Sequence, residues 1–249
     1  MIASIALCFD APLQSWGTTA RFTIRDTATE PTKSGVVGLL GAALGTERDD
    51  TEMIARLAAL RMGVRVDREG VMEEDYHVTE NVPNTSGGNH RTVVSRRYYL
   101  AGALFLVVLE TKDDVDLLAR LEDAVRSPRY PLFFGRKAFV PARPLVRPGD
   151  DKEINTGLGL LTESLETVLG THPWLETEVS AADGLGSPPL RTLVDCPPTS
   201  PHAELRHDHP VSFVQDARRF LARTVEFGTV PLLPSMIHTS RSSEGEPCS

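Results

Sequence analysis

The sequence predicts an α+β protein with a long inserted β-hairpin and a small, mostly β C-terminal domain. Three observations predict it. Strand–helix–strand patterns occur twice within residues 1–147. A polar, turn-rich insert, Asn81 to His90, separates two strand-like segments. Beyond Pro148, apolar periodicity fades, and Pro, Gly, Ser, Thr and acidic residues dominate as far as about His209.

The elements follow in order. Ile2 to Phe9 is an apolar run of strand length. Residues 32–45 read as a Gly-rich helix with Thr32 or Ser34 as its cap. Thr51 to Leu60 reads as a second helix, with Met53, Ile54, Leu57 and Leu60 on one face. Met62 to Asp67 alternates like a strand. Val71 to Val78 and Thr92 to Leu100 flank the polar insert, as a hairpin spanning about 71–100 with a tip of turn residues. Leu104 to Leu109 is unbroken and apolar, so it is expected as a central strand. Thr111 to Asp114 looks like a capping box, opening a helix that buries Val115, Leu118, Leu121 and Val125. Pro131 to Val140 reads as a strand interrupted by Gly135. This order is that of a ferredoxin-like (RRM-like) domain over 1–147. Residues 148–238 are expected to form the β-rich C-terminal domain, and 239–249 a flexible tail.

The Gly-rich helix carries the most chemistry. At 100° per residue, Gly35, Gly38, Gly41, Ala42 and Gly45 share one side, and Val36, Val37, Leu39, Leu40 and Leu44 share the other. Glycine weakens a helix by up to ~1 kcal/mol per residue, so several in one helix call for close packing or a ligand. Lys33 and free N–H groups at the helix start suit a phosphate. A nucleotide P-loop is excluded, because the glycines it needs are Thr27 and Thr32. A phosphate here would belong to a polymer rather than to ATP.

The net charge of −8 argues against nucleic acid at first sight. The charge is segregated, however. Arg126 to Pro148 holds Arg126, Arg129, Arg136, Lys137, Arg143 and Arg147 with no acid, and Ser86 to Leu100 holds Arg91, Arg96 and Arg97 with none. Two such patches beside a phosphate-ready helix point to RNA or DNA. No apolar run approaches the ~20 residues of a membrane span. The N-terminus lacks the features of a secretory leader, so a cytoplasmic protein with no membrane partner is expected. Cys8, Cys196 and Cys248 are too few and too scattered for a disulfide framework or a cysteine zinc site.

Several blocks occur in a specific order: Leu13-Gln14-Ser15-Trp16-Gly17, Pro31-Thr32-Lys33-Ser34-Gly35, Gly38 to Gly45, Asp75-Tyr76-His77, Arg97-Tyr98-Tyr99-Leu100 and Phe134-Gly135-Arg136-Lys137. Asp208-His209-Pro210 and Arg219 to Val225 follow near the end. In this order the chain resembles the RAMP-superfamily subunits that hold the 5′ handle of crRNA in type I-E CRISPR surveillance complexes (Cascade). The resemblance covers about 1–147 well and 208–225 in part.

The resemblance implies a ferredoxin-like body and a hairpin thumb. It also implies a non-catalytic role in antiviral defence, capping the backbone filament. Partners would be the crRNA 5′ handle, the backbone and large subunits and, indirectly, target DNA, with no cofactor. Together with the residue chemistry it assigns RNA contacts to Gln14, Thr32, Lys33, Ser34, Gly35, Arg96, Arg97, Arg136 and Lys137. Asn84, Gly87, Gly88, His90 and Arg91 would form a flexible thumb tip against the rest of the assembly. Trp16 could stack on a base or pack in the core, and its residue type favours the core.

Two other readings are weighed. A related branch of the family cuts precursor crRNA without metal, and Tyr76, His77 and Lys137 have suitable side chains, but that branch's spacing does not recur here. No catalytic residue is therefore assigned. A protein-only scaffold is the second alternative. His202, His207, Asp208 and His209 could chelate zinc, but they lie in Pro-rich flanks with no cysteine near, so no metal site is assigned. A serine hydrolase has no G-x-S-x-G elbow to stand on.

Overall fold

The computed structural model describes residues 2–18, 23–149, 155–176 and 188–237. The expected tail, 239–249, lies outside the described residues, as do 150–154 and 177–187. The fold is mixed α+β. Its elements are β1 (Ala3–Asp10), β2 (Leu13–Gln14), β3 (Ile24–Arg25), α1 (Lys33–Leu44), α2 (Thr51–Ala59), β4 (Arg61–Arg68), β5 (Val71–Val82), β6 (Arg91–Ala101), β7 (Leu104–Thr111), α3 (Val115–Arg126), β8 (Gly159–Leu161), α4 (Leu165–Thr171), β9 (Leu190–Asp195), β10 (Glu204–Ser212) and β11 (Arg219–Val230). A 3-10 turn, Pro234–Met236, closes the described chain.

The main sheet has seven strands in the order β10-β11-β9-β4-β7-β1-β8, all antiparallel. Period-two alternation sorts its side chains. Ile5, Leu7 and Phe9 of β1 and Phe105, Val107 and Leu109 of β7 enter the core that also holds the apolar faces of α1, α2 and α3. Ala6, Cys8, Leu104, Leu106 and Val108 face the opposite way, onto Leu165, Val168 and Leu169 of α4. Helix α4 lies so close that a Cβ on Gly63 of β4 would stand 2.6 Å from Leu165 Cδ2. The C-terminal strands extend this sheet through β4–β9 pairing, so residues set apart in sequence as a small β domain share the body's sheet.

A second sheet is built on β6. The hairpin partner β5 pairs along most of its length, with Val71 opposite Ala101 and Val82 opposite Arg91. Short strands β2 and β3 also pair with β6. The hairpin strands run further than the alternation alone indicated, because the Asn84 side chain and backbone close the tip.

Three local expectations are corrected. Pro131 to Val140 forms no strand; it is an irregular loop, held by Phe134 N–H donating to Phe139 O at 2.8 Å. The Thr111–Asp114 box is half made: Thr111 Oγ1 accepts from Asp113 and Asp114 N–H, and Asp114 caps α3 without a side-chain bond. The segment after Pro148, read as weakly periodic, contains α4, capped by Ser164.

One buried ion pair ties the layers. Arg65 and Asp67 on β4 are fully buried and bonded at 2.6 Å. The Arg65 guanidinium also donates to the carbonyls of Leu169, His172 and Pro173, at the C-terminus of α4. It thereby satisfies acceptors that the helix end leaves free.

Candidate nucleic-acid interface

Helix α1 begins where the sequence places it. Thr32 Oγ1 accepts from Gly35 N–H at 3.3 Å, and Gly45 ends the helix in a left-handed conformation at φ 77°. The helix start, however, is already occupied by carboxylates of the same chain. Lys33 N–H donates to Asp208 Oδ2 at 2.8 Å, and Lys33 Nζ donates to Asp195 Oδ2 at 2.7 Å. Arg223 binds both acids, with Nε at 2.7 Å from Asp208 Oδ1. The four groups form a closed, charge-balanced network joining α1 to β9, β10 and β11. Burial depresses the Lys33 pKa, against the pull of Asp195. Burial also works against the Asp208 carboxylate, but Arg223 and the Lys33 N–H outweigh it and hold its pKa below the usual range.

Lys33 is therefore not presented to a phosphate. Thr32 is equally buried, and Ser34 and Gly35 are half-buried. Gly35 does serve close approach: a Cβ there would stand 2.9 Å from Trp16 Cε3. Gly38 is open, with Phe213 Cζ at 4.0 Å, and Gly41 makes ordinary contact. Trp16 is in the core, stacked on Phe9 at 5.7 Å. Gln14 is fully buried. It donates to the carbonyls of Phe9 and Ala103 and accepts from Trp16 Nε1, so its amide holds β2 and the Trp16 ring in place.

The acid-free run from Arg126 is partly neutralised in space. Arg126 meets Glu122 at 2.8 Å and Arg143 meets Asp10 at 2.8 Å. Arg136 and Lys137 make no ion pair among the described residues, although Asp75 lies near enough to Arg136 for its charge to be felt. They sit on the loop that Gly135 makes possible: its φ is 86°, and a Cβ would stand 1.8 Å from Ser15 O. Arg136 donates to Tyr98 O at 2.8 Å and lies 5.4 Å from the Phe139 ring centroid. Phe139 in turn meets Tyr99 edge-on at 5.9 Å. Lys137 is exposed.

The register of the second sheet separates two expected neighbours. Consecutive strand residues point to opposite faces. Arg97 shares its face with Arg25, its parallel partner on β3, with Asp75, its antiparallel partner on β5, and with Tyr99. Arg96 faces the other way beside Tyr76, and its Nε stands 3.5 Å from Glu74 Oε1. The single groove expected to join Lys33, Arg96, Arg97, Arg136 and Lys137 is thus divided. One face gathers Arg25, Arg97 and Arg136. Burial and the charges of Arg97 and Arg25 all depress the Arg136 pKa. Arg25 escaped sequence reading because it lies in a two-residue strand with no periodic signal.

At the hairpin tip, Asn84 Oδ1 accepts from Ser86 and Gly88 N–H, and Gly87 adopts φ 80°. His90 Nδ1 contacts Asn81 Oδ1 at 2.7 Å. Arg91 is exposed and pairs in register with Val82. The tip has a defined turn of its own.

Two of the side chains that an RNA-cleaving site would use do not converge. Tyr76 and His77 are consecutive on β5 and face opposite ways, and His77 Nδ1 stands 3.9 Å from Asp75 Oδ2. Of the C-terminal histidine cluster, Asp208 is spent on Lys33 and Arg223. Among the described residues, no three His, Cys, Asp or Glu side chains gather as a metal site would require. No helix among the described residues is long and apolar enough to cross a membrane.

The chain is similar to the "CRISPR system Cascade subunit CasD" of Escherichia coli (strain K12), at 34% identity over 158 residues, which are 58% of this chain and 70% of the relative. A solved structure titled "Crystal structure of Cas protein" superposes with a TM-score of 0.67 at 36% identity, covering 92% of this chain and 95% of the other. A chain of a "CRISPR RNA-guided surveillance complex" superposes with a TM-score of 0.72 at 26% identity, covering 96% and 95%. The family model for "CRISPR-associated protein (Cas_Cas5)" matches residues 4–226, from the first strand to β11, and the chain belongs to that family.

Proposed function

We propose that this chain is a non-catalytic subunit of a type I-E CRISPR surveillance complex, binding the 5′ handle of crRNA and capping the backbone filament. The observation that carries the reading is the basic surface at the base of the hairpin. There Arg25, Arg97, Arg136 and Lys137 stand without carboxylate ion pairs among the described residues, on a chain that superposes over 96% of its length on one from an RNA-guided complex. Most other arginines nearby are spent on acids. Phosphate contacts dominate such recognition and carry little sequence information.

Two architectural details support the assignment. The strand order β8-β1-β7-β4, with helices in the β1–β4 and β7–β8 crossovers, is the order of a ferredoxin-like sheet. The β5–β6 hairpin inserted between β4 and β7 is the natural thumb. The face opposite Arg97 exposes Ile24, Tyr76, Val78 and Val94, an apolar stripe suited to a neighbouring protein subunit. We assign the hairpin, including Asn84 to Arg91, to contact with backbone or large subunits. Gln14, Thr32 and Gly35 act indirectly, by holding Trp16 and the α1 start behind the RNA-binding surface.

Coexpression with the other complex subunits and a CRISPR repeat transcript tests the reading. The chain should co-purify with guide RNA, and alone it should leave repeat RNA uncut with or without divalent metal. Cleavage at one phosphodiester, abolished by His77→Ala, would favour the endoribonuclease. Assembly into the complex without any RNA contact would favour a protein-only scaffold.

A further inference from the structure

Three guanidiniums meet on one face of the second sheet. Arg25 and Arg97 are register partners on adjacent strands, so their side chains leave the sheet side by side. Arg136 is brought to the same place from the Gly135 loop. Its bond to Tyr98 O and its position over Phe139, which touches Tyr99, fix it beside β6. Arg97 spends its Nε on Ser95 Oγ at 3.3 Å and Arg136 spends one nitrogen on Tyr98 O. Each guanidinium carries five N–H donors, so most remain unused. Among the described residues none of the three has an ion pair. The facing acid, Asp75, is the register partner of Arg97, but it forms no ion pair with any of the three and sets one negative charge against three positive ones. Like charges held this close repel, and a bound anion would relieve that repulsion.

We propose that Arg25, Arg97 and Arg136 converge on a single phosphodiester of the bound RNA, as a three-guanidinium clamp at the hairpin base. The proposal rests on the RNA-binding reading above and goes beyond it by assigning three of its guanidiniums to one phosphate. A phosphate offers several acceptor lone pairs, and forked guanidiniums match its geometry better than ammonium groups do. Such a clamp fixes one point of the strand while its bases stay free to be held elsewhere.

The test is fluorescence anisotropy on the full chain, with a labelled single-stranded RNA of the host repeat sequence, titrated across potassium chloride concentrations. Arg25→Gln, Arg97→Gln and Arg136→Gln are compared singly and together, with thermal melts checking the fold. Arg25 is exposed, so its variant keeps the proposal testable if another fails to fold. Each single variant should weaken binding roughly tenfold, as loss of a charge-assisted hydrogen bond does. The losses should be strongly non-additive, because the three act on one group. The log–log salt slope should fall by about 0.7 in the triple variant, the value for one single-strand phosphate. A fall of about 2, with independent losses, would mean three separate phosphates and would overturn the clamp. Unchanged binding by Arg25→Gln would overturn it too. A wild-type chain that binds no RNA would overturn the functional reading and the clamp together.

Discussion

The backbone N–H of Lys33 donates to Asp208 Oδ2 at 2.8 Å, across 175 positions of sequence. A carboxylate from β10 thus sits where a helix N-terminus would hold a phosphate. With Asp195 and Arg223 it locks α1, and with it the Trp16 ring packed on Gly35, to the far end of the main sheet. The feature that reads in sequence as an RNA site is a joint between the two halves of the fold.

Replacing Asp208 should expose this role. Asp208→Asn leaves the buried Arg223 and Lys33 to share the single carboxylate of Asp195, so one buried positive charge is uncompensated, at an expected cost of up to about 3–5 kcal/mol. The folded pKa of Asp208 is depressed, so its contribution is complete above the unfolded value of about 3.9 and lost as pH falls through the folded value. Thermal melts across acidic pH should therefore lose midpoint more steeply below about pH 4 in the wild type than in Asp208→Asn. Parallel curves would contradict the assignment.

Lys33→Met should lower the urea midpoint while leaving the salt slope of RNA binding unchanged, because the Nζ is committed to Asp195. A fall of about 0.7 in that slope would show that Lys33 reaches a phosphate after all.

Glycines of the two motifs should behave differently. Gly135→Ala imposes a Cβ on Ser15 O, and its left-handed backbone alone costs about 1–3 kcal/mol. It should unfold the 134–139 loop and weaken RNA binding. Gly38→Ala should instead raise the melting point of the isolated chain, by up to ~1 kcal/mol of stability, since its Cβ meets no crowding. A destabilised Gly38→Ala chain would mean that the open face of α1 packs more tightly than the structure shows.

The elements with sustained periodicity were legible in the sequence: β1, α1, α2, β4, the hairpin, β7 and α3 all lie where the alternation puts them, although α3 lacks its expected side-chain cap and exposes Val115, which was expected in its buried face. Helix α4 was not, though its signal exists: Ser164 as cap, Glu166 in the first turn, and Leu165, Val168 and Leu169 on one face. Seven residues embedded in Pro- and Gly-rich flanks give too short a period to stand out. The proposed site was half legible. Arg97, Arg136 and Lys137 stand out by local absence of acid, but sequence neighbourhood misjudges charge wherever strands bring distant segments together. The acids of β5 face the arginines of β6 in register, and Asp10 meets Arg143. Lys33 was misread because its partners, Asp195 and Asp208, come from the last third of the chain.

The most direct test of the account is ultraviolet crosslinking of the chain to labelled repeat RNA, with the adducts mapped by mass spectrometry. The account predicts adducts on the 96–99 and 136–139 peptides, where Tyr99 and Phe139 flank the arginine cluster. Adducts confined to the groove between α2 and the β10–β11 strands, lined by Thr51, His209, Arg218 and Arg219, would contradict it and move the RNA to another face of the molecule.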